Sequence, residues 1–406
     1  MSAVASAGAE SNLTLGYLLR QGLKGHPEDY RLCAHHAKVF GALMACGTGA
    51  LGAHFYQCLK CAGLHPVANK CRDRHCPSCQ GAQSHQWLEK QQATLLPIPY
   101  FHVVFTLPHE FNPLIGQNQS KLYGLLFNVA ASVLLEFGRN NLGVQLGITM
   151  VLHTWNQQLQ SHYHIHCIVT GGGLTLDGKS WKSSSQKFLF PIDAVEEVFR
   201  KRFCAGVQKL YYAGELEFHG KLQALGEERN FQRLIAKANV PRRWHLYFKR
   251  PFSGPSSVLA YLSRYTHRFG ITNKRLLDFD PDKQMVTFQY LDRTKDPWAK
   301  ARRQLSLREF IQRLQLHILP NRFFKIRHYG FLSNGQRKAK VTQARELLAE
   351  SPEALELKES NDQASTASED YEPSLACPFC GAKELLLVAV IRTPVNLPAP
   401  AIWDSS

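Results

Sequence analysis

The sequence predicts an α+β protein in which a small helical module with cysteine knuckles precedes a larger domain of mixed strands and helices. Three observations carry this prediction. Seven of the eleven cysteines fall before residue 80. The runs 100–107, 144–155 and 162–169 are rich in β-branched and aromatic residues, the composition of strands. From Ser120 to Phe137, by contrast, apolar residues recur at helical spacing.

The chain has 406 residues, 44% hydrophobic and 20% charged, which suffices for a real core and suggests two or three domains. Global disorder, a collagen-like repeat and a small disulfide-stapled scaffold are excluded as descriptions. No uninterrupted apolar run approaches the ~20 residues that cross a bilayer. Met1 to Ser11 lacks a basic stretch followed by an apolar block, so a cytosolic chain with no membrane partner is expected. Lys and Arg number 48 against 32 Asp and Glu, a net charge of +16, which calls for a polyanion, most commonly nucleic acid. The expected organisation is a helical, zinc-binding and DNA-binding region at 1–95 and a catalytic domain at 96–335. A helical and acidic linker at 336–375 and a tail at 376–406 follow.

In a reducing compartment, clustered cysteines are thiolate ligands more often than disulfides. Cys58-x-x-Cys61 and Cys76-x-x-Cys79 are two such pairs, 14 residues apart, and tetrahedral zinc needs two knuckles. The expected zinc ligands are therefore Cys58, Cys61, Cys76 and Cys79, with Cys71, His65 and His75 in reserve. Cys33 and Cys46 are expected to pack as small buried hydrophobes. Arg72 and Arg74, beside the second knuckle, are candidate DNA contacts. Cys377-Pro-Phe-Cys380 is half a knuckle, able to pair across a dimer or with an upstream cysteine.

After a helical region to about Gln92, Tyr100–Leu107 reads as a strand and Ser120–Phe137 as a helix. Val144–Trp155 and His162–Val169 read as further strands, the latter ended by Gly171-Gly-Gly173. Trp244–Phe248 and Met285–Leu291 also read as strands. Ser256–Phe269 and Leu305–Leu319 read as helices, and the stretch from about Leu347 to Pro373 turns acidic and Ser/Ala-rich.

On a strand, residues two apart share a face, so His162, His164 and His166 project together. Two such imidazoles leave coordination positions open for a third ligand and a phosphate oxygen. On the helix expected at 256–269, Tyr261 and Tyr265 stand one turn apart, and Arg264 and Arg268 flank them to hold phosphates. Alone, the tyrosines would read as core. Together with the histidine strand and the basic charge, they read as nucleophiles. Phenol at pKa ~10 is a poor nucleophile at neutral pH. A divalent cation on the scissile phosphate compensates by withdrawing charge from it. Metal-assisted strand cleavage through a phosphotyrosine conserves the phosphodiester energy, and the absence of a P-loop motif agrees with that.

These residues, together with Cys71-Arg-Asp-Arg-His-Cys76, His153-Thr-Trp155, His162-Tyr-His-Ile-His166 and Arg327-His-Tyr-Gly-Phe331, resemble one family. It is the two-tyrosine rolling-circle transposases of insertion sequences with an N-terminal zinc-binding region, the insertion-sequence "ninety-one" type. The resemblance spans about Leu13 to Leu332. It implies an HUH-endonuclease core, an antiparallel sheet flanked by helices, that cleaves and rejoins single-stranded DNA at element ends. It also implies a target DNA and a bacterial cytoplasm, with the protein at the nucleoid when acting. On that pattern His164 and His166 match the two-histidine motif, and Tyr261 and Tyr265 match the paired nucleophiles. Tyr163 stands where the family often has proline. The third ligand is not fixed by the motif; His162, Gln158 and Asn156 are candidates by proximity. Structural Zn2+ and a catalytic Mg2+ or Mn2+ are the cofactors expected. The rival readings are a plasmid replication initiator or relaxase, and a zinc-dependent DNA-binding regulator without catalysis.

Overall fold

The computed structural model describes residues 13–25, 27–92, 94–185, 189–241, 244–252, 258, 269–292, 294, 298–349 and 376–392. Helices α1 (Leu15–Gly25) and α2 (Ala34–Ala45) open the chain, followed by a hairpin of β1 (Ala53–Cys58) and β2 (Leu64–Ala68) and by α3 (Gln80–Gln92). Next come β3 (Tyr100–Thr106), α4 (Asn112–Gln117), α5 (Gln119–Phe137), β4 (Val144–Trp155), β5 (Ser161–Thr175) and β6 (Trp181–Ser183). Helices α6 (Ile192–Tyr212) and α7 (Glu228–Ala238) lead into β7 (His245–Phe252). The remainder is β8 (Leu276–Asp280), β9 (Met285–Asp292), β10 (Ala299–Ser306), α8 (Leu307–Gln315), β11 (Ile326–Gly330), α9 (Arg337–Ala349) and β12 (Leu385–Ile391).

The main sheet has the order β11-β4-β5-β3-β7, with β6 on β5, and every pairing is antiparallel. The α+β class predicted from the sequence therefore holds. Strand alternation divides the two faces. On one face Val103, Phe105, Ile148, Met150, Leu152, Tyr163, Ile165, Cys167 and Val169 form a core with α5, α6 and α7. The segment Gln119–Leu142 is long and apolar enough to cross a bilayer by length and composition. It is instead the central core helix, with Leu122, Leu126, Phe127, Val133 and Leu134 buried in this cluster. The other face carries a smaller cluster in which Tyr100, Ile168 and Val258 meet Phe331, Val341 and Ala344. A third core joins α1 and α2 to β9 and α8 through Leu18, Phe40, Phe288, Phe310 and Ile311.

Two local expectations change. The run Leu305–Leu319 is not one helix: Leu305 and Ser306 finish β10, paired with Val286 and Met285, and the helix begins at Leu307. Ser306 decides this, because its hydroxyl accepts the Glu309 amide at 3.2 Å as an N-cap. Likewise Gly171–Gly173 do not end the histidine strand. They allow close approach: a Cβ on Gly171 would lie 2.8 Å from the Pro99 carbonyl, and one on Gly173 2.2 Å from that of Gln145. Of the helix expected at Ser256–Phe269, only Val258 and Phe269 are among the described residues.

Candidate active site and metal centres

The hairpin β4–β5 sets His153 directly opposite His164, and alternation brings His166 to the same face, two residues along β5. Ring centroids are 5.3 Å apart for His153–His164, 4.6 Å for His153–His166 and 4.9 Å for His164–His166. One ring nitrogen from each of the three lies within 4.8 Å of the others. Such a set of imidazoles fits one divalent cation with positions left open.

The tautomers favour the same atoms. Nδ1 of His164 is 2.9 Å from the carbonyl of His162, so it carries the proton and donates, leaving Nε2 as the ligand atom. Nδ1 of His166 is 2.9 Å from Nε2 of His102, a buried residue of β3 whose ring stacks on that of His166 at 5.2 Å and 11°. With a cation on His166 Nε2, its Nδ1–H donates to His102. Trp155 stacks on His153 at 5.0 Å and 17°, walling the cluster. Beyond it His317 is fully packed, and burial pushes its imidazole down to about 4, where it stays neutral.

The imidazole that groups with those of His164 and His166 is that of His153; His162, Gln158 and Asn156 are not in this set. His162 is exposed and contributes its carbonyl, not a ring nitrogen, to the arrangement. Gln158 Oε1 accepts from Arg303 at 2.6 Å, and Asn156 Oδ1 caps its own turn by accepting the amides of Gln158 and Gln160. Hairpin arithmetic would have found His153, since two strands joined by so short a turn must set it near His164. His102 left no such signal, because β3 and β5 become neighbours only through the sheet.

Tyr261, Tyr265, Arg264 and Arg268 lie outside the described residues. Val258 sits with Ile168, two residues beyond His166 on β5, and Phe269 lies 6.4 Å from Trp155, two residues beyond His153 on β4.

The cysteines form two four-sulfur groups, not the single set expected. Cys46, Cys71, Cys76 and Cys79 converge in one, and Cys58, Cys61, Cys377 and Cys380 in the other. Cys58 and Cys61 are thus separated from Cys76 and Cys79, because the β1–β2 hairpin carries its knuckle away from the loop that precedes α3. Cys71 and Cys46 are full members of the first group, with Sγ atoms 3.7 and 3.6 Å from that of Cys79, and Cys46 is no mere core filler. Cys33, expected to be buried, is exposed just before α2. Amides donate toward the first group, from Cys71 to Cys46 Sγ and from Asp73 to Cys71 Sγ, each at 3.5 Å. In the second group the amide of Cys61 leads in pulling the Cys58 thiol down to about 7.

The two reserve histidines join neither group. His75 Nδ1 pairs with Asp73 at 2.8 Å and its Nε2 accepts the Leu319 amide at 3.1 Å, while His65 is buried against Tyr56. Arg74, a candidate DNA contact, instead donates to the carbonyls of Phe323, Leu319 and Pro320, clasping the first cysteine loop to the segment before β11. Arg72 is exposed, in the left-handed region at φ 55. In β11, Arg327 lies over the rings of Phe127 and Phe323 at 4.4 and 4.8 Å, and His328 meets the Thr149 hydroxyl at 3.0 Å.

A family profile described as "Putative transposase" matches residues 147–340, and one described as "Transposase zinc-binding domain", of the IS91 type, matches residues 18–107. The chain is 38% identical to "Putative transposase y4qJ" of Sinorhizobium fredii, over 95% of this chain and 97% of that protein. It is 31% identical to "Transposase for insertion sequence element IS801" of Pseudomonas savastanoi pv. phaseolicola, over 89% and 86% respectively. No solved structure matches.

Proposed function

The chain belongs to the IS91 family of insertion-sequence transposases, and from that premise we propose that it is an HUH-type nuclease that cuts and rejoins single-stranded DNA through a covalent phosphotyrosine. The observation that carries the proposal is the trio of imidazoles His153, His164 and His166, gathered on one face of the sheet. When bound there, Mg2+ or Mn2+ supplies charge withdrawal from the scissile phosphate.

The chain's own residues do the rest. A phenolic oxygen of Tyr261 or Tyr265 attacks phosphorus, a phosphotyrosine O–P bond forms, and the P–O3′ bond breaks. The 3′ oxygen leaves as a hydroxyl, its proton balancing the one lost by the phenol. Attack by a 3′-hydroxyl on the phosphotyrosine reverses the balance and rejoins a strand. Tyr261 and Tyr265, four residues apart in the sequence and flanked by Arg264 and Arg268, are the phenols assigned this role. Arg264 and Arg268 then hold flanking phosphates, and Arg72 with the net charge of +16 favours the DNA polyanion, both element end and target.

The test is incubation with a single-stranded oligonucleotide and Mn2+, then a denaturing gel and mass mapping of the adducted peptide. Adducts are expected on Tyr261 and Tyr265, with none in the variant carrying Tyr261→Phe and Tyr265→Phe. A folded, DNA-binding double variant that still forms adducts defeats the assignment and points to another phenol, such as Tyr290.

A further inference from the structure

The strand order β12-β1-β2 sets the last described strand of the chain beside one of the first, with the knuckles of both at the same end. Cys58-Leu-Lys-Cys61-Ala-Gly63 and Cys377-Pro-Phe-Cys380-Gly-Ala382 fold into the same turn. In each, the first cysteine's amide donates to the carbonyl five residues on, Cys58 to Gly63 at 2.9 Å and Cys377 to Ala382 at 2.8 Å. In each, the fifth residue's amide donates back to the first cysteine's carbonyl, Ala62 to Cys58 at 2.9 Å and Gly381 to Cys377 at 2.8 Å. Both fifth residues are left-handed, Ala62 at φ 57 and Gly381 at φ 74. An alanine held there is strained by about 1 kcal/mol or more, so the turn is over-determined by its surroundings.

The two turns face each other. Cys58 and Cys380 have Sγ atoms 3.6 Å apart, as do Cys61 and Cys377. Four thiolates at about 2.3 Å from zinc stand about 3.8 Å from one another, whereas a disulfide closes to about 2.05 Å. The separations are those of a metal tetrahedron's edges.

We propose that Cys58, Cys61, Cys377 and Cys380 form a second structural zinc site, a two-knuckle ribbon whose halves come from opposite ends of the chain. The matched zinc-binding domain ends at residue 107, so half of these ligands lie outside it. The inference is independent of the nuclease reading. Its physical consequence follows from burial. Leu386, Leu387, Val388, Val390 and Ile391 are each more than 40% exposed, so apolar packing contributes little to holding β12. The ladder to β1 and the metal must hold it. A clip of this kind closes a loop of more than three hundred residues, which the unfolded chain closes only at large entropic cost.

The experiment loads the full chain with Co2+, whose sulfur-to-metal charge-transfer absorption counts thiolate sites and is blind to a histidine site. Zinc content and amide exchange are measured in parallel. Two thiolate-type equivalents are expected in the wild type. Cys377→Ser with Cys380→Ser should remove one and halve the absorption, and Cys46→Ser with Cys71→Ser should remove the other. In the C-terminal variant, and in the wild type after chelation, the amides of 385–391 should lose protection. Cys380→His, which keeps a zinc ligand, should retain both equivalents and that protection. Unchanged metal content in the C-terminal variant overturns the proposal, as does a disulfide among the four cysteines of the purified protein, or protection at 385–391 that survives chelation.

Discussion

Replacing His102 with phenylalanine removes one hydrogen bond behind the histidine cluster while keeping a ring of similar size in its place. His102 and His166 are 5% and 9% exposed, their rings are parallel to within 11°, and 2.9 Å separates Nε2 from Nδ1. In the cation-bound state His102 accepts the proton that fixes the tautomer of His166, so the loss falls on metal binding. Partners of metal-ligating histidines are typically worth about 10–100-fold in metal affinity or activity. That corresponds to about 1.4–2.7 kcal/mol, the size expected when a buried donor loses its acceptor. In the adduct assay, the Mn2+ concentration for half-maximal cleavage should rise by about 10–100-fold. The rate at saturating Mn2+ should recover toward wild type, and oligonucleotide affinity without metal should stay unchanged. His102→Asn, which keeps an acceptor, should restore part of the shift. A folded His102→Phe protein with wild-type Mn2+ dependence refutes the reasoning, since His102 would then be only packing.

Three further substitutions separate ligand from neighbour and clasp from DNA contact. His153→Ala should lower Mn2+-dependent cleavage by more than about 100-fold with DNA binding retained, whereas His162→Ala, which leaves the main-chain carbonyl in place, should cost less than about 10-fold; the opposite order in the same gel assay would return His162 to the ligand set. Arg74→Ala should lower stability by about 2 kcal/mol in denaturant titration, since it strips charged donors from the carbonyls of Phe323, Leu319 and Pro320. Its DNA affinity should keep the wild-type salt slope, and a slope reduced by about one with unaltered stability would identify a phosphate contact instead.

What was legible in the sequence is what short-range rules govern. Alternation alone put His164 and His166 on one face of a strand, and β4 runs over the residues read as a strand, Val144–Trp155. The helical spacing from Ser120 to Phe137 likewise became α5, starting one residue earlier. The family, too, was legible as a resemblance carried by those motifs, and the matching profiles agree with it. Misreadings arose where neighbours in the chain are not neighbours in space. Cys58 and Cys76 look like halves of one site at a short separation, yet the β1–β2 hairpin parts them, and Cys58 finds Cys380 through a strand pairing more than three hundred residues long in sequence. Arg74 read as a candidate DNA contact, but its guanidinium donates to three carbonyls of a distant loop.

By itself, then, the sequence determined most of the strands and helices described, the donor types and the transposase family. Only the tertiary structure decided which sulfurs meet and that His102 stands behind His166. The reason is physical: period and propensity act over a few residues, whereas a coordination set is chosen by sheet register and core packing. Those depend on every element at once.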